Sequence, residues 1–220
     1  MVLLMSPKPR RGLAVVLQAI NRFRYLALVE PLLFTAKRRV CRLVEQLGAS
    51  SVLEVGCGAC TQAIALARLG IAVTAVDVTD RMFPLRRARL PENLVVRQAD
   101  GRSLPFPDRC FDLAFASLTL HEMPPQNRLP VLGEMLRVVR PGGGVVIMDY
   151  HFEDGQSFNL AGALIRLIER GAGREHHSHF LDFVACGGIP ALARTAGSRV
   201  ARRHPILGDR GGIFELPVGP

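Results

Sequence analysis

The residues able to do chemistry gather where short apolar runs end. Val52-Leu53-Glu54-Val55-Gly56-Cys57-Gly58-Ala59-Cys60-Thr61 reads as a buried strand passing through a glycine turn into a helix. Glycines at 56 and 58 let the backbone turn sharply and approach a ligand with no Cβ in the way. A dinucleotide-binding fingerprint has a third glycine where this chain has Thr61, so the turn suits a dinucleotide poorly. Glu54, at the strand end, can accept hydrogen bonds from the turn or from a ligand ammonium group. The next run ends in Asp77, whose carboxylate can accept from both hydroxyls of a ribose. The run after it ends in Asp100-Gly101, a second acid at the same edge that can receive an adenine amino group. With no basic residue nearby to hold phosphate, the two acids describe a nucleoside without phosphates.

Other candidates follow further along. His121-Glu122 comes just after the fourth run, where a base can take a proton from an acceptor nitrogen, oxygen or carbon; the structural alternative is a histidine capping the helix that starts near Pro124. Cys57-x-x-Cys60 supplies only two of the four ligands of a structural zinc site, and Cys57 already belongs to the glycine turn. His176, His177 and His179, preceded by Glu175, offer a metal site, a pocket wall or the polar start of a surface helix. The surface helix is the expectation, with Asp182 a surface residue and no metal bound. Asp112 is expected to hold the start of a strand and is left outside the site.

These residues need a scaffold that brings strand ends to one edge. The runs Ser51–Val55, Ala72–Val76, Leu94–Arg97, Leu113–Ala116 and Gly144–Met148 are rich in Val, Leu, Ala and Ile and read as strands buried on both faces. Helical stretches Thr61–Leu69, Arg81–Arg89 and Pro125–Val139 lie between them, so strand and helix alternate as in a doubly wound parallel α/β sheet. Ahead of the sheet, helical spacing predicts two helices, Leu13–Val29 and Leu32–Leu47, broken near Pro31. The second carries Leu33, Ala36, Val40, Leu43, Val44 and Leu47 on one stripe. Beyond Tyr150, Phe158–Gly171 and His176–Ala196 read as helical, and strands Arg199–His204 and Gly212–Leu216 follow, joined by a hairpin at Gly211-Gly212. One domain over residues 1–220 results: N-terminal helices (1–48), a ligand-binding core (49–150), a helical insertion (151–197) and a terminal hairpin (198–220).

Composition narrows the partners. The chain of 220 residues is 49% hydrophobic and 21% charged, as in ordinary globular domains. Its five cysteines show no secreted disulfide framework, which points to a reducing cytoplasm, and neither a signal peptide nor a spanning helix is read. Of the +9 net charge, residues 1–50 hold +7, from nine Lys/Arg against two acids. An anionic partner of that segment, foremost a membrane surface touched peripherally, competes with a simple solvated helix face. Nucleic acid is not expected: with no Trp and only Tyr25 and Tyr150, stacking platforms are scarce.

Six pieces in order resemble the class I S-adenosylmethionine-dependent methyltransferases, particularly the ubiquinone/menaquinone-biosynthesis group. They are Leu53-Glu54-Val55-Gly56-Cys57-Gly58, Ala75-Val76-Asp77, Ala99-Asp100-Gly101-Arg102-Ser103-Leu104-Pro105-Phe106, Phe111-Asp112-Leu113, Leu120-His121-Glu122 and Leu136-Arg137-Val138-Val139-Arg140-Pro141-Gly142-Gly143. The resemblance implies a Rossmann-like sheet of seven strands with the last antiparallel, and S-adenosylmethionine as cofactor. It implies that Glu54, Gly56 and Gly58, with Cys57 between them, line the methionine part. Asp77, followed by Val78, would hold the ribose, Asp100 with Gly101 the adenine, and Ser117 would face the sulfonium. The family commonly has glycine where this chain has Cys60. Methyl transfer to a small-molecule acceptor is the implied activity; the N-terminal charge makes an apolar or lipid-like acceptor the expectation, and the place of His121 after the fourth strand makes it the candidate base. The alternatives are a non-catalytic S-adenosylmethionine-binding scaffold and an NAD-dependent oxidoreductase, the latter without the third glycine or a Tyr-x-x-x-Lys hydride site.

Overall fold

The computed structural model describes residues 30–84, 89–153 and 159–219. Helix α1 (Glu30–Gln46) opens the described part. The predicted helix Leu13–Val29 lies outside the described residues. A parallel unit follows: β1 (Ser51–Val55), α2 (Thr61–Ala67), β2 (Ala72–Asp77), β3 (Leu94–Gln98), β4 (Phe111–Ser117), α3 (Pro125–Val138) and β5 (Val139–Tyr150). Helices α4 (Leu160–Gly171), α5 (Arg174–Ala185) and α6 (Gly188–Thr195) precede β6 (Arg202–Ile206) and β7 (Gly211–Pro217).

The seven strands form one sheet in the order β3-β2-β1-β4-β5-β7-β6. The first five are parallel, and β7 enters antiparallel between β5 and β6. Strand order reverses between β1 and β4, which opens a crevice at their carboxyl ends, the general ligand site of such sheets. The antiparallel β7 separates this sheet from the dinucleotide-binding order, in which the last strands are parallel.

Alternation of side chains across the pleat gives the sheet two apolar faces. Val52, Val73, Ala75, Phe115 and Met148 pack on one face with Val40 and Val44 of α1 and Leu66 of α2. Leu53, Val76, Ala114 and Ile147 pack on the other with Leu132 and Met135 of α3 and Ile189 of α6. A smaller cluster of Tyr150, Ile165 and Phe180 seats α4 and α5 above the end of β5.

Several predicted elements change. Arg81–Arg89 was expected to be helical, yet Arg81–Phe83 form a turn and bend ending at Pro84, whose ring disfavours helix at the residue before it; residues 85–88 are not described. β5 is longer than the apolar run, since Val139 leaves the helix in an extended conformation and the strand continues through Asp149 and Tyr150. His176–Ala196 is two helices, divided at Gly187 and Gly188, which hold φ of 84° and 57°. The terminal hairpin turns at Leu207–Asp209, with Gly208 left-handed, while Gly211 and Gly212 lie inside β7. A Cβ on Gly212 would stand 2.7 Å from the Phe214 ring, so close packing, not turning, requires that glycine.

Candidate active site

A cleft of about 610 Å³ lies at the carboxyl edge of β1, β2 and β4, within the range of small-molecule sites. The ten residues read from sequence as cofactor or base candidates all line it: Glu54 near the end of β1, Gly56, Cys57 and Gly58 on the loop after it, Asp77 ending β2 with Val78 beyond, Asp100 and Gly101 after β3, and Ser117 ending β4 with His121 beyond. Gly56 and Cys57 fix the first loop by donating to Val76 O at 2.9 and 3.0 Å. Gly56 has φ 75°, and a Cβ there would lie 2.1 Å from Thr119 Cγ2, so the loop and the segment after β4 meet only across a glycine. Cys60 keeps a left-handed φ of 59°, a conformation costing a non-glycine residue roughly 1 kcal/mol. The family's preference for glycine there therefore has a backbone cause.

At one end of the cleft, Glu54 is 3% exposed, and burial pushes its carboxyl well above the usual range. Its Oε2 and the Ser117 Oγ are buried without a hydrogen-bond partner among the described residues. Buried oxygens beside a cleft call for a polar ligand. Lys37 of α1 also lines this end and donates to Thr61 Oγ1 at 2.8 Å. The described part of the N-terminal segment thus reaches the glycine-loop end.

Asp77 Oδ2 accepts from the Gly58 amide at 3.0 Å and Oδ1 from Thr79 at 3.1 Å, which fixes the carboxylate and leaves each oxygen a further lone pair. Asp100 is engaged by Arg102: its oxygens accept from the Arg102 amide at 2.9 Å and from the guanidinium at 2.6 to 3.1 Å. Those hydrogen bonds hold its carboxyl below the usual range. The sequence reading of a site with no basic residue nearby is therefore corrected, because Arg102 and Lys37 both line the cleft. Arg102 is charge-paired within its own loop and is no free phosphate anchor.

The other end of the cleft is polar and built from parts far apart in sequence. His121 is 2% exposed, with Nδ1 2.6 Å from Asp149 Oδ1. Asp149 Oδ2 also accepts from the Leu120 and His121 amides, so the carboxylate closing β5 sets both the loop and the ring. Burial opposes the imidazolium, but the Asp149 charge and hydrogen bond outweigh it and push the pKa up to about 9. Nε2 faces Glu169 Oε2 of α4 at 3.7 Å. The Glu169 Oε1 accepts from Tyr150 OH at 2.9 Å, and its Oε2 is in contact with His176 Nε2 of α5. Burial raises the Glu169 carboxyl, yet His176 and His121 together hold it below the usual range, and the same contact raises His176. Desolvation by its surroundings in the cleft raises the Glu122 carboxyl, against the pull of His121 and His176.

The three histidines near the start of α5 separate in space. His176 turns into the cleft, His177 stacks on Phe180, and His179 Nδ1 lies 2.8 Å from Glu122 O. Asp182, expected to be a plain surface acid, pairs with buried Arg128 at 2.6 Å. Arg128 also donates to Leu120 O, Met123 O and His179 O, fastening α5 to the loop after β4. Asp112 sits at the opposite end of β4, accepting from Ser50 and Ser51 and pairing with Arg140. Sequence reasoning missed Asp149, Tyr150, Glu169, Arg128 and the joining of His176 to His121. An acid ending the apolar run before Tyr150 was the one available signal.

S-adenosylmethionine, the cofactor this fold implies, fits what the first loop and strand ends present. The partnerless Glu54 and Ser117 oxygens suit an ammonium and a cationic sulfur environment, and fixed Asp77 suits a diol. The profile of the methyltransferase-domain family matches residues 53–147. Demethylmenaquinone methyltransferase of Tropheryma whipplei (strain Twist) is 32% identical over 116 residues, covering 52% of this chain and 47% of that protein. Phosphatidylethanolamine N-methyltransferase of Cereibacter sphaeroides is 35% identical over 123 residues, covering 54% and 59%. The chain thus spans about half the length of these curated relatives. Human N-acetylserotonin methyltransferase, solved in complex with SAM, superposes with a TM-score of 0.68 at 17% identity over 98% of this chain and 61% of that one, a likeness of fold. Glycine loop, strand-end acids, antiparallel β7 and matched profile converge: residues 53–147 match the methyltransferase-domain family, and the chain has the fold of the class I S-adenosylmethionine-dependent methyltransferases and is similar in sequence to those of quinone biosynthesis.

Proposed function

We propose that the protein transfers the methyl group of S-adenosylmethionine to a nitrogen, oxygen or carbon nucleophile of a small, apolar or lipid-like acceptor, releasing S-adenosylhomocysteine. The observation carrying this reading is the pair of buried oxygens without a hydrogen-bond partner among the described residues, Glu54 Oε2 and Ser117 Oγ, on the cleft wall between the glycine loop and β4. When bound, S-adenosylmethionine supplies an electrophilic methyl on a sulfonium. Glu54 then meets its ammonium, Asp77 the ribose hydroxyls, and Asp100 with Gly101 the adenine. The acceptor's reacting end belongs beside His121, Tyr150 and His176, where the cleft walls align the partners.

Support for a lipid-like acceptor comes from three directions. The two curated relatives above are named for a demethylated menaquinone and a phospholipid. Helix α4 turns Glu169 toward the cleft and leaves Leu160, Leu164 and Leu167 exposed among Arg166, Arg170 and Arg174. Residues 1–50 hold +7 of the net charge, and Arg38 and Arg42 of α1 are exposed. An anionic membrane surface, met peripherally, is the partner this proposal assigns to that segment. No helix among the described residues is long and apolar enough to cross a membrane.

An acceptor screen monitoring S-adenosylhomocysteine release tests the proposal. Turnover with quinol or phospholipid acceptors is expected. Tight cofactor binding with no turnover on any class would favour a non-catalytic binding protein.

A further inference from the structure

Four side chains from three places in the chain converge at the acceptor end of the cleft, and no spacing in the sequence joins them. His121 and Glu122 follow β4, Glu169 comes from α4 and His176 from α5. His121, Glu122 and His176 each bring a ligand-type atom within 4.8 Å of the others. Glu169 Oε2 lies 3.7 Å from His121 Nε2 and touches His176 Nε2.

We infer that this cluster is a divalent transition-metal site, with His121 Nε2, His176 and Glu122 as ligands, Glu169 as a fourth, and the open side facing the acceptor. The inference rests on the methyltransferase reading and deepens it.

The outer groups are those that orient metal ligands. Asp149 takes Nδ1 of His121, which turns Nε2 toward the cluster, as carboxylates do behind ligating histidines. Tyr150 donates to Glu169 Oε1 and leaves Oε2 facing the two imidazoles. Arg128 and His179 fasten α5 to the loop carrying Glu122, so His176 is held across the cleft. Ligands around one zinc-sized ion, at about 2.0–2.2 Å each, stand roughly 3–4 Å apart. Half-buried His176 and exposed Glu122 need to close by roughly 1–2 Å at most, and Glu169 Oε2 must part from the His176 Nε2 it now touches for both to ligate. An ion at Nε2 displaces the proton that Asp149 otherwise favours there.

Two imidazoles with carboxylates suit zinc, iron or cobalt more than magnesium or calcium. The ligand class is therefore a borderline divalent ion, and its partner a hydroxyl or carbonyl oxygen of the acceptor. With a hydroxyl acceptor, the ion makes the oxygen more acidic. Its O–H bond breaks and the proton leaves to water; the oxygen lone pair then forms the bond to the methyl carbon, and the methyl–sulfur pair stays on sulfur.

Zinc tests the site whichever ion is native, because it outranks iron and cobalt(II) or stands near them in affinity. Chelator-treated full-length protein would be titrated calorimetrically with ZnCl2 and, separately, with S-adenosylhomocysteine. The expected result is one Zn2+ per chain, weakened in His176→Ala and in Glu122→Gln by at least the roughly 10- to 100-fold that loss of an outer-shell partner costs. Both variants should bind S-adenosylhomocysteine like the parent, which also shows that they fold. Absent zinc binding in a protein that binds S-adenosylhomocysteine would overturn the metal site and leave the methyltransferase reading standing. Zinc binding unchanged in both variants would overturn the assignment as well, since the ion would then sit elsewhere. Failure to bind S-adenosylhomocysteine would instead count against the underlying reading.

Discussion

Glu54, Ser117 and Asp77 present oxygens to one cleft; among the described residues Glu54 Oε2 and Ser117 Oγ have no hydrogen-bond partner, whereas both Asp77 oxygens accept from backbone amides. On the proposed function, that difference puts the diol at Asp77 and the charged end of the ligand at Glu54. Asp77→Ala should weaken S-adenosylhomocysteine by roughly 1–3 kcal/mol, the scale of lost hydrogen bonds to a charged group. Calorimetry reads this directly, and unchanged affinity would show the ribose lies elsewhere. Gly56→Ala should cost about 1–3 kcal/mol of stability, because its Cβ falls 2.1 Å from Thr119 Cγ2. Adding Thr119→Ala removes that methyl and should recover part of the loss, so strictly additive urea midpoints would contradict the contact. Residues beside strand ends were legible in the sequence because the chemistry and the local fold share one stretch of chain. Arg102 was misjudged for the opposite reason: its pairing with Asp100 and its place on the cleft wall depend on how the loop closes.

At the scale of elements, the parallel core could be read because each strand is a short apolar run with a helix after it. The helices beyond Tyr150 could be read only as helices. Their docking depends on Arg128, a buried cation whose partners come from the loop after β4 and from α5. Helical spacing says nothing of that. Arg128→Ala leaves several carbonyls unpaired and should lower stability by roughly 1–3 kcal/mol. It should reduce turnover more than S-adenosylhomocysteine affinity, because α5 carries His176 and no cofactor residue. An equal loss in both would place α5 in cofactor binding. At the far end of β4, Asp112 is raised by partial burial, but Ser50, Ser51 and Arg140 together hold it below its usual range. Its contribution is thus present above the unfolded value near pH 4 and lost as pH falls through the lower folded value. Asp112→Asn should therefore lower stability at pH 7 and differ progressively less from the parent below about pH 4. A gap independent of pH in chemical denaturation would contradict the ionic clamp.

For the whole molecule, the sheet order and the antiparallel β7 place every strand-end candidate on one edge, which is why ten residues chosen from sequence line one cleft. The charge asymmetry was equally plain in sequence, but its purpose was not, because a net charge names no partner. The membrane proposal predicts that removing residues 1–29, with five Lys/Arg, weakens binding to anionic vesicles, each basic residue near such a surface contributing about 1 kcal/mol. Cofactor binding should survive the deletion. Co-sedimentation equal for both forms, or insensitive to salt, would remove the membrane and leave a soluble acceptor. The central claim is the identity of the cofactor. Calorimetric titration of the full chain with S-adenosylhomocysteine and with NAD tests it most directly: the account predicts one S-adenosylhomocysteine site and much weaker or no NAD binding, and NAD bound more tightly than S-adenosylhomocysteine would contradict it.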